Sequence, residues 1–284
     1  ILLWPFSARS QTNFQWAVSA NGPKTDEAYS IFTDKFGNVY QTGFFRGTVD
    51  FDPSIAEYNL TSETDLYEDI FILKLDKEGQ FIWAIKIGGE GTDQAFDIYV
   101  DMDQNIYVSG SFEYTVDFDP SPGVYNLTVS GTAYIPDAFI LKLDGLGNFL
   151  WAKKFGSTGY QQINDITSDN LGNIFIVGNF WETVDFDPSI STYNMTADES
   201  DCFILCLDNN ANFIWAKQFS GPGTGSGNSI CIDNEAIYII GEFTDEVDLD
   251  PGAGSFIVSA VYTFYDLYIS KLNHDGEFIW GGAI

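Results

Sequence analysis

Short runs of apolar, β-branched and aromatic residues alternate along the chain with corners of Gly, Asn and Asp, and no stretch sustains a 3.6-residue apolar period. The pattern predicts strands and no helix. Tyr29 to Phe45 shows the form, with two β-rich runs flanking a turn that ends in Gly37-Asn38. Phe71 to Lys86 repeats it, turning through Asp76 to Gln80. Glycine supplies the positive φ that such corners need, and an Asp or Asn side chain bonds the turn backbone. The corner aspartates Asp34, Asp76, Asp101, Asp144, Asp169 and Asp208 are therefore read as structural. The run from Asp69 to Leu75 is apolar at successive rather than alternate positions. A strand of that kind needs cover on both faces.

The pattern recurs in register. Trp16, Trp83, Trp151, Trp215 and Trp280 are spaced by 67, 68, 64 and 65 residues, each within a Phe-x-Trp-Ala or Phe-x-Trp-Gly text. Asp-Phe-Asp-Pro begins at Asp50, Asp117 and Asp185, and Asp-Leu-Asp-Pro at Asp248. Gly43, Gly110, Gly178 and Gly241 form a further column, in mid-strand, where glycine marks a bulge or a close backbone approach. Two hairpins per unit, repeated in tandem and covered on both faces, define the blade of a β-propeller; a β-solenoid repeat is usually shorter. The expected architecture is all-β: four complete blades of four antiparallel strands, at about 24–88, 89–156, 157–220 and 221–284, with a lone strand at 14–21. A lone outer strand at one end with no vacancy in the last blade implies part of a larger propeller, its blades in an open arc or a strained ring.

Composition narrows the partners. The 284 residues carry 12 Lys+Arg against 41 Asp+Glu, a net charge of −29, and such a field repels phosphate backbones and anionic lipid. No nucleic acid is expected, and no stretch approaches the roughly 18 apolar residues of a membrane span. Three cysteines are too few for a disulfide framework, and Cys202 and Cys206, four apart on a strand, lie roughly 13 Å apart. All three are read as buried small apolar residues. Residues 1–10 read as the tail of a secretory signal, with Ala8 and Ser10 in the small-x-small cleavage pattern and an ordinary apolar strand as the alternative.

Thr48-Val-Asp-Phe-Asp-Pro53, Asp69 to Asp76, Phe81-Ile-Trp-Ala84 and Gly88-Gly89 resemble the bacterial β-propeller repeat called SBBP, over nearly the whole chain from Phe14 onward. The resemblance implies an exported bacterial protein, extracellular or at the cell surface. It implies no shared catalytic residues.

The sharpest candidate chemistry is Asp-x-Asp-Pro. Strand alternation puts Asp50 and Asp52 on one side and Phe51 on the other. The pairs Asp117 and Asp119, Asp185 and Asp187, and Asp248 and Asp250 repeat this. Two carboxylates on one side need a cation or hydrogen-bond donors between them. Oxygen ligands on an exported protein point to Ca²⁺; the alternative is that each Asp caps a turn. Catalysis has little support. His274 is the only histidine and lies in a turn, and a motif copied into every blade serves the blade, whereas an active site should break the repeat.

The departures from the repeat are thus the places to look. The column just past the second strand holds Arg46, Glu113, Trp181 and Thr244, the candidate ligand-binding residues, with Trp181 the one large aromatic at an expected loop. The next column holds Gly47, Tyr114, Glu182 and Asp245, and residues 61–68, 128–136, 196–200 and 259–265 form a second variable region. The expectation is a non-enzymatic binding or adhesion module whose partner is a protein or a glycan. The alternatives are a carbohydrate-active enzyme domain or its accessory module, and a structural spacer within a larger surface protein.

Overall fold

A computed structural model describes residues 15–20, 22–261 and 264–284. Blade 1 contains β1 (Glu27–Thr33), β2 (Val39–Phe45), β3 (Thr48–Asp50), β4 (Asn59–Thr61), β5 (Asp69–Leu75) and β6 (Phe81–Ile87). Blade 2 repeats this with β7 (Gln94–Val100), β8 (Ile106–Phe112), β9 (Thr115–Asp117), β10 (Asn126–Thr128), β11 (Asp137–Leu143) and β12 (Phe149–Phe155). Blade 3 has β13 (Gln161–Ser168), β14 (Ile174–Asp185), β15 (Asn194–Leu207) and β16 (Phe213–Phe219). Blade 4 has β17 (Gly225–Ile232), β18 (Ile237–Phe243), β19 (Glu246–Asp248), β20 (Ile257–Ser259), β21 (Asp266–Leu272) and β22 (Phe278–Ala283).

Each blade is one four-stranded antiparallel sheet, ordered β1-β2-β5-β6 in blade 1 and equivalently in the others. The chain is therefore all-β, built of four-stranded propeller blades. The first strands of successive blades pack side by side, β1 on β7, β7 on β13 and β13 on β17, so they form the inner rim. Among the described residues no strand of blade 4 packs against blade 1, and the blades form an open arc.

The glycine column explains the inner rim. The first strand of every blade carries a bulge, between Ala28 and Ser30, Ala95 and Asp97, Ile163 and Asp165, and Gly227 and Ser229. Opposite each bulge stands the column glycine, and a Cβ on Gly178 would lie 1.9 Å from the Gln162 carbonyl oxygen. Only glycine lets the bulged backbone come that close.

The third strands lie between neighbouring blades. Every residue of β5 and of β11 is buried. Blade 4 differs, because among the described residues no blade covers its outer face. Leu267 is 52% exposed and Ile240 49%, whereas Cys202 and Val177, their equivalents in blade 3, are fully buried. The opposite end mirrors this, with Ile31 65% exposed and its blade 2 equivalent Ile98 only 2%.

Several expectations need correction. Residues 15–20 form no strand, and Phe14 and Asn21 lie outside the described residues, as does the presumed signal at 1–10. Blade 1 already has its four strands, so the segment has no vacancy to fill. Trp16 instead sets its indole Nε1 on the Lys77 carbonyl oxygen at 3.1 Å, in the β5–β6 turn. Cys231 is exposed, although Cys202 and Cys206 are buried; all three are free thiols. Trp181 and residues 196–200 lie in strands, not in loops. In blade 3 only 16 positions separate Asp185 from Asp201, against 20 from Asp117 to Asp137 in blade 2, and the shorter link lets the strands run on without a break.

Candidate functional site: a cleft between the third and fourth blades

The repeated carboxylates are occupied by their own turns. Asp50 Oδ1 accepts the backbone N–H groups of Asp52 and Tyr58 at 3.0 and 2.8 Å, and Asp52 Oδ1 accepts that of Ser54 at 2.9 Å. In blade 2, Asp117 accepts the N–H groups of Asp119 and Tyr125, and Asp119 accepts that of Ser121. In blade 3, Asp185 accepts those of Asp187 and Tyr193, and Asp187 accepts that of Ser189. In blade 4, Asp248 accepts those of Asp250 and Phe256, and Asp250 accepts that of Gly252. This is the hydrogen-bond pattern of a capped turn. Phe51 is buried between the paired aspartates and packs edge-on against Phe45 at 5.4 Å.

Asp50, Asp52, Asp117, Asp119, Asp185, Asp187, Asp248 and Asp250, the expected metal ligands, thus stand in the structure as the acceptors of capped turns. Backbone N–H groups supply the donors that the paired carboxylates require, so no cation is needed between them. Asp52, Asp119, Asp187 and Asp250 each spend an oxygen on the turn that follows, and do not join a third ligand. Among the described residues no group of three or more His, Cys, Asp or Glu side chains stands close enough to hold a metal ion. The hairpin-corner aspartates follow the same logic: Asp34 Oδ1 accepts the N–H groups of Phe36 and Asn38.

The column of Arg46, Glu113, Trp181 and Thr244 lies at one end of the blades but does not converge on one site. Arg46 donates to the Leu66 carbonyl at 3.3 Å and to Thr25 Oγ1 at 3.4 Å. Glu113 Oε2 accepts Thr92 N–H at 3.1 Å, and Thr244 Oγ1 accepts Thr224 N–H at 2.9 Å. Each of these three holds the segment by which the chain enters its own blade. The neighbouring column is explained by backbone conformation: Gly47, Tyr114, Glu182 and Asp245 all have φ between 56° and 71°. Non-glycine residues in that left-handed region each cost roughly 1–2 kcal/mol.

Trp181 is different. It lines a cleft of about 490 Å³ between blades 3 and 4, together with Gln162, Asn164, Asn179, Ser200, Thr224, Ser226, Asn228, Glu242 and Tyr265. Its ring packs edge-on against Tyr160, with centroids 5.3 Å apart. The cleft exists because the repeat is broken here. At the bulge of the first strand blades 1 and 2 carry Tyr29 and Phe96, whose rings lie 5.8 Å apart, with Phe44 5.7 Å from Tyr29. These aromatics fill the joint between blades 1 and 2. Blades 3 and 4 place Asn164 and Asn228 at the same bulge, and Asn179 and Glu242 stand where blade 1 has Phe44. Amides replace the aromatic plug and the joint stays open.

The amides hold one another. Asn164 Nδ2 donates to Asn179 Oδ1 at 3.2 Å and to the Gly227 carbonyl at 2.8 Å. Ser226 Oγ donates to Asn228 Oδ1 at 2.7 Å, and Tyr160 Oη to Gln162 Oε1 at 2.9 Å. Among the described residues Asn179 Nδ2, Asn228 Nδ2 and Gln162 Nε2 meet no acceptor. Among the described residues Glu242 is the one ionisable carboxylate on the lining, and no Lys or Arg lines it.

On the inner rim, in the first strands β7 and β13, lies a carboxyl pair that the sequence motifs do not single out. Asp165 accepts from Ser229 Oγ and from Ile230 N–H at 2.8 Å. Asp97 accepts Ser30 Oγ at 2.6 Å and Ile166 N–H at 3.0 Å. Each carboxyl thus reaches into the following blade. Burial, and then the Asp97 charge beside it, push the Asp165 carboxyl up to about 7. Burial raises Asp69 and Asp201 as well, each to about 6.

No family model matches the chain. A curated relative, an uncharacterized WD repeat-containing protein of Acanthamoeba polyphaga mimivirus, is 26% identical over 237 residues. The match covers 73% of this chain and 17% of that protein, so the chain spans about a sixth of the relative's length. The likeness is to a repeat protein, in keeping with tandem propeller blades, although no Trp-Asp dipeptide occurs in this chain.

Proposed function

We propose that this chain is a non-enzymatic binding module, exported from a bacterium to its surface or surroundings, that holds its partner in the cleft between blades 3 and 4. One observation carries the reading: the cleft is where the repeat gives up an aromatic plug and gains unpaired amide donors, at a cost in apolar packing that the blade itself does not require. A rigid repeat scaffold with one irregular concave face is a common setting for recognition. The SBBP-like columns and the apolar N-terminal text support export, and the likeness to a WD repeat-containing protein supports an interaction role. Hydrolysis by a carboxylate pair needs two carboxyl groups within about 10 Å across the scissile bond, and this lining offers Glu242 alone.

The test is a photo-crosslinking amino acid, p-benzoylphenylalanine, placed at position 181 and, separately, at the equivalent position 113 of blade 2. Each protein is irradiated with the culture medium and intact surface of the cells that make it. A discrete adduct from position 181 and none from 113 is the expected result. No adduct from 181, or equal adducts from both, would overturn the assignment.

A further inference from the structure

Resting on that reading of the cleft, we infer that its ligand is a neutral saccharide. Two aromatic rings, Trp181 and Tyr265, belong to opposite blades and flank the opening, and Tyr265 is largely exposed. A pyranose ring has an apolar face of C–H groups that packs against such rings, and a rim of hydroxyl groups that each donate and accept. The same lining carries the amides of Asn179 and Asn228, with donors that meet no acceptor among the described residues, and the Glu242 carboxylate, which accepts only. That mixture of neutral donors and one strong acceptor matches hydroxyl groups.

It matches other ligands poorly. The lining carries no cation to meet a phosphate, sulfate or uronate, and the net charge of −29 repels polyanions. A peptide or protein anchor would call for an apolar floor, which blades 1 and 2 possess in Tyr29, Phe44 and Phe96 and which this joint has lost. The occupant inferred is therefore one or two sugar units of a neutral glycan, entering between blades and held by stacking on Trp181.

The test uses the purified chain and a panel of neutral oligosaccharides, namely β-glucan, α-glucan, mannan and xylan fragments, with polygalacturonate fragments as the charged comparison. Binding is read by tryptophan fluorescence and by calorimetry up to about 10 mM, well above the ~1 mM that marks weak affinity. At least one neutral fragment should bind saturably. Trp181→Phe should abolish the fluorescence change while keeping part of the affinity. Trp181→Ala and Asn228→Ala should each weaken binding at least tenfold, and Tyr134→Ala, an exposed aromatic on blade 2, should leave it unchanged. Melting curves confirm that each variant is folded. Silence across the neutral panel, or binding of polygalacturonate alone, overturns the saccharide inference. If the panel is silent while the crosslinker at position 181 captures a protein, the binding reading stands and the saccharide fails. If the crosslinker is silent as well, both fail.

Discussion

The indole Nε1 of Trp215 donates to the carbonyl oxygen of His274 at 3.2 Å, tying the outer strand of blade 3 to the turn of blade 4. Trp151 does the same to Asn209 at 3.3 Å, and Trp16 to Lys77 at 3.1 Å. Gly276 has φ of 74°, and a Cβ added there would lie 3.2 Å from the Trp215 ring, so the receiving turn lies flat on the indole. Among the described residues Trp280 meets no such turn, and it is 43% exposed. At Trp151 and Trp215 the column thus acts as a joint between blades, whereas Trp83 Nε1 is buried without an acceptor among the described residues.

Trp215→Ala is expected to cost about 3–5 kcal/mol, the range for a packed aromatic, while Trp280→Ala should cost less than about 1 kcal/mol, as an exposed truncation does. Urea denaturation of the two variants decides this. Equal losses would show that Trp280 is packed in solution and that the arc is covered there.

Protonation is expected to stabilise the fold through Asp165. Its folded pKa, about 7, exceeds the usual carboxylate value near 3.9. The folded state therefore holds its proton more tightly than the unfolded state across that interval. The contribution is complete below about pH 4 and is lost as pH rises through about 7. Asp69 and Asp201, each near 6, act in the same direction. Asp34, Asp144 and Asp208 are lowered by the hydrogen bonds of their turns, despite burial that works the other way, so their contribution is lost on the acid side instead. Melting temperature should thus be greatest in mild acid and fall toward pH 8. Asp165→Asn keeps an acceptor for Ser229 and Ile230 and should raise melting at pH 8 while flattening the slope. A variant with the wild-type slope would remove Asp165 as the cause.

The Asp-x-Asp-Pro turns should behave as capped turns. Asp50→Ala strands two backbone N–H groups and is expected to cost about 1–2 kcal/mol, with Asp50→Asn milder because the amide oxygen still accepts. Melting should be the same with millimolar Ca²⁺ and with chelator. A rise with Ca²⁺ that is lost in Asp50→Asn would assign the paired carboxylates to the ion.

Gly178→Ala should be among the most damaging single changes, since its Cβ would fall 1.9 Å from the Gln162 carbonyl and 2.8 Å from the Phe203 ring. A loss above about 4 kcal/mol, or failure to fold, is the expected outcome. A mild effect would mean that the bulge in β13 can relax.

The blades were legible in the sequence because strand pairing repeats its signals. Corner aspartates occur twice in each of the first three blades, and the mid-strand glycine and the outer tryptophan once per blade, at near-constant spacing, and local chemistry explains them all. The three-residue hairpins such as β3–β4 were too short to show a period. The second aspartates of the turn motif, Asp52, Asp119, Asp187 and Asp250, were visible as a column, but whether a carboxylate meets an ion or a backbone N–H depends on how the following turn folds back. The Asp97–Asp165 pair escaped because each looks like an ordinary polar residue in its own strand, and only packing one blade on the next brings them together. Trp181 is visible as a departure from its column, but the residues that join it do not stand in that column. Arg46, Glu113 and Thr244 serve the entry of their own blades, while the residues that join Trp181 lie partly on the neighbouring blade. Their signal was a substitution of class, with Asn164 and Asn228 where Tyr29 and Phe96 stand elsewhere.

The most direct measurement returns the cleft to the repeat. Trp181→Glu with Asn179→Ser restores the blade 2 residues, and a glutamate at 181 can accept the entry segment's N–H as Glu113 accepts that of Thr92. With the crosslinker moved to position 265 on the far wall, the wild-type background should yield the adduct. The double variant should fold with a melting temperature within a few degrees and yield none. A folded double variant that still captures the same partner would contradict the central claim that function resides where the repeat is broken.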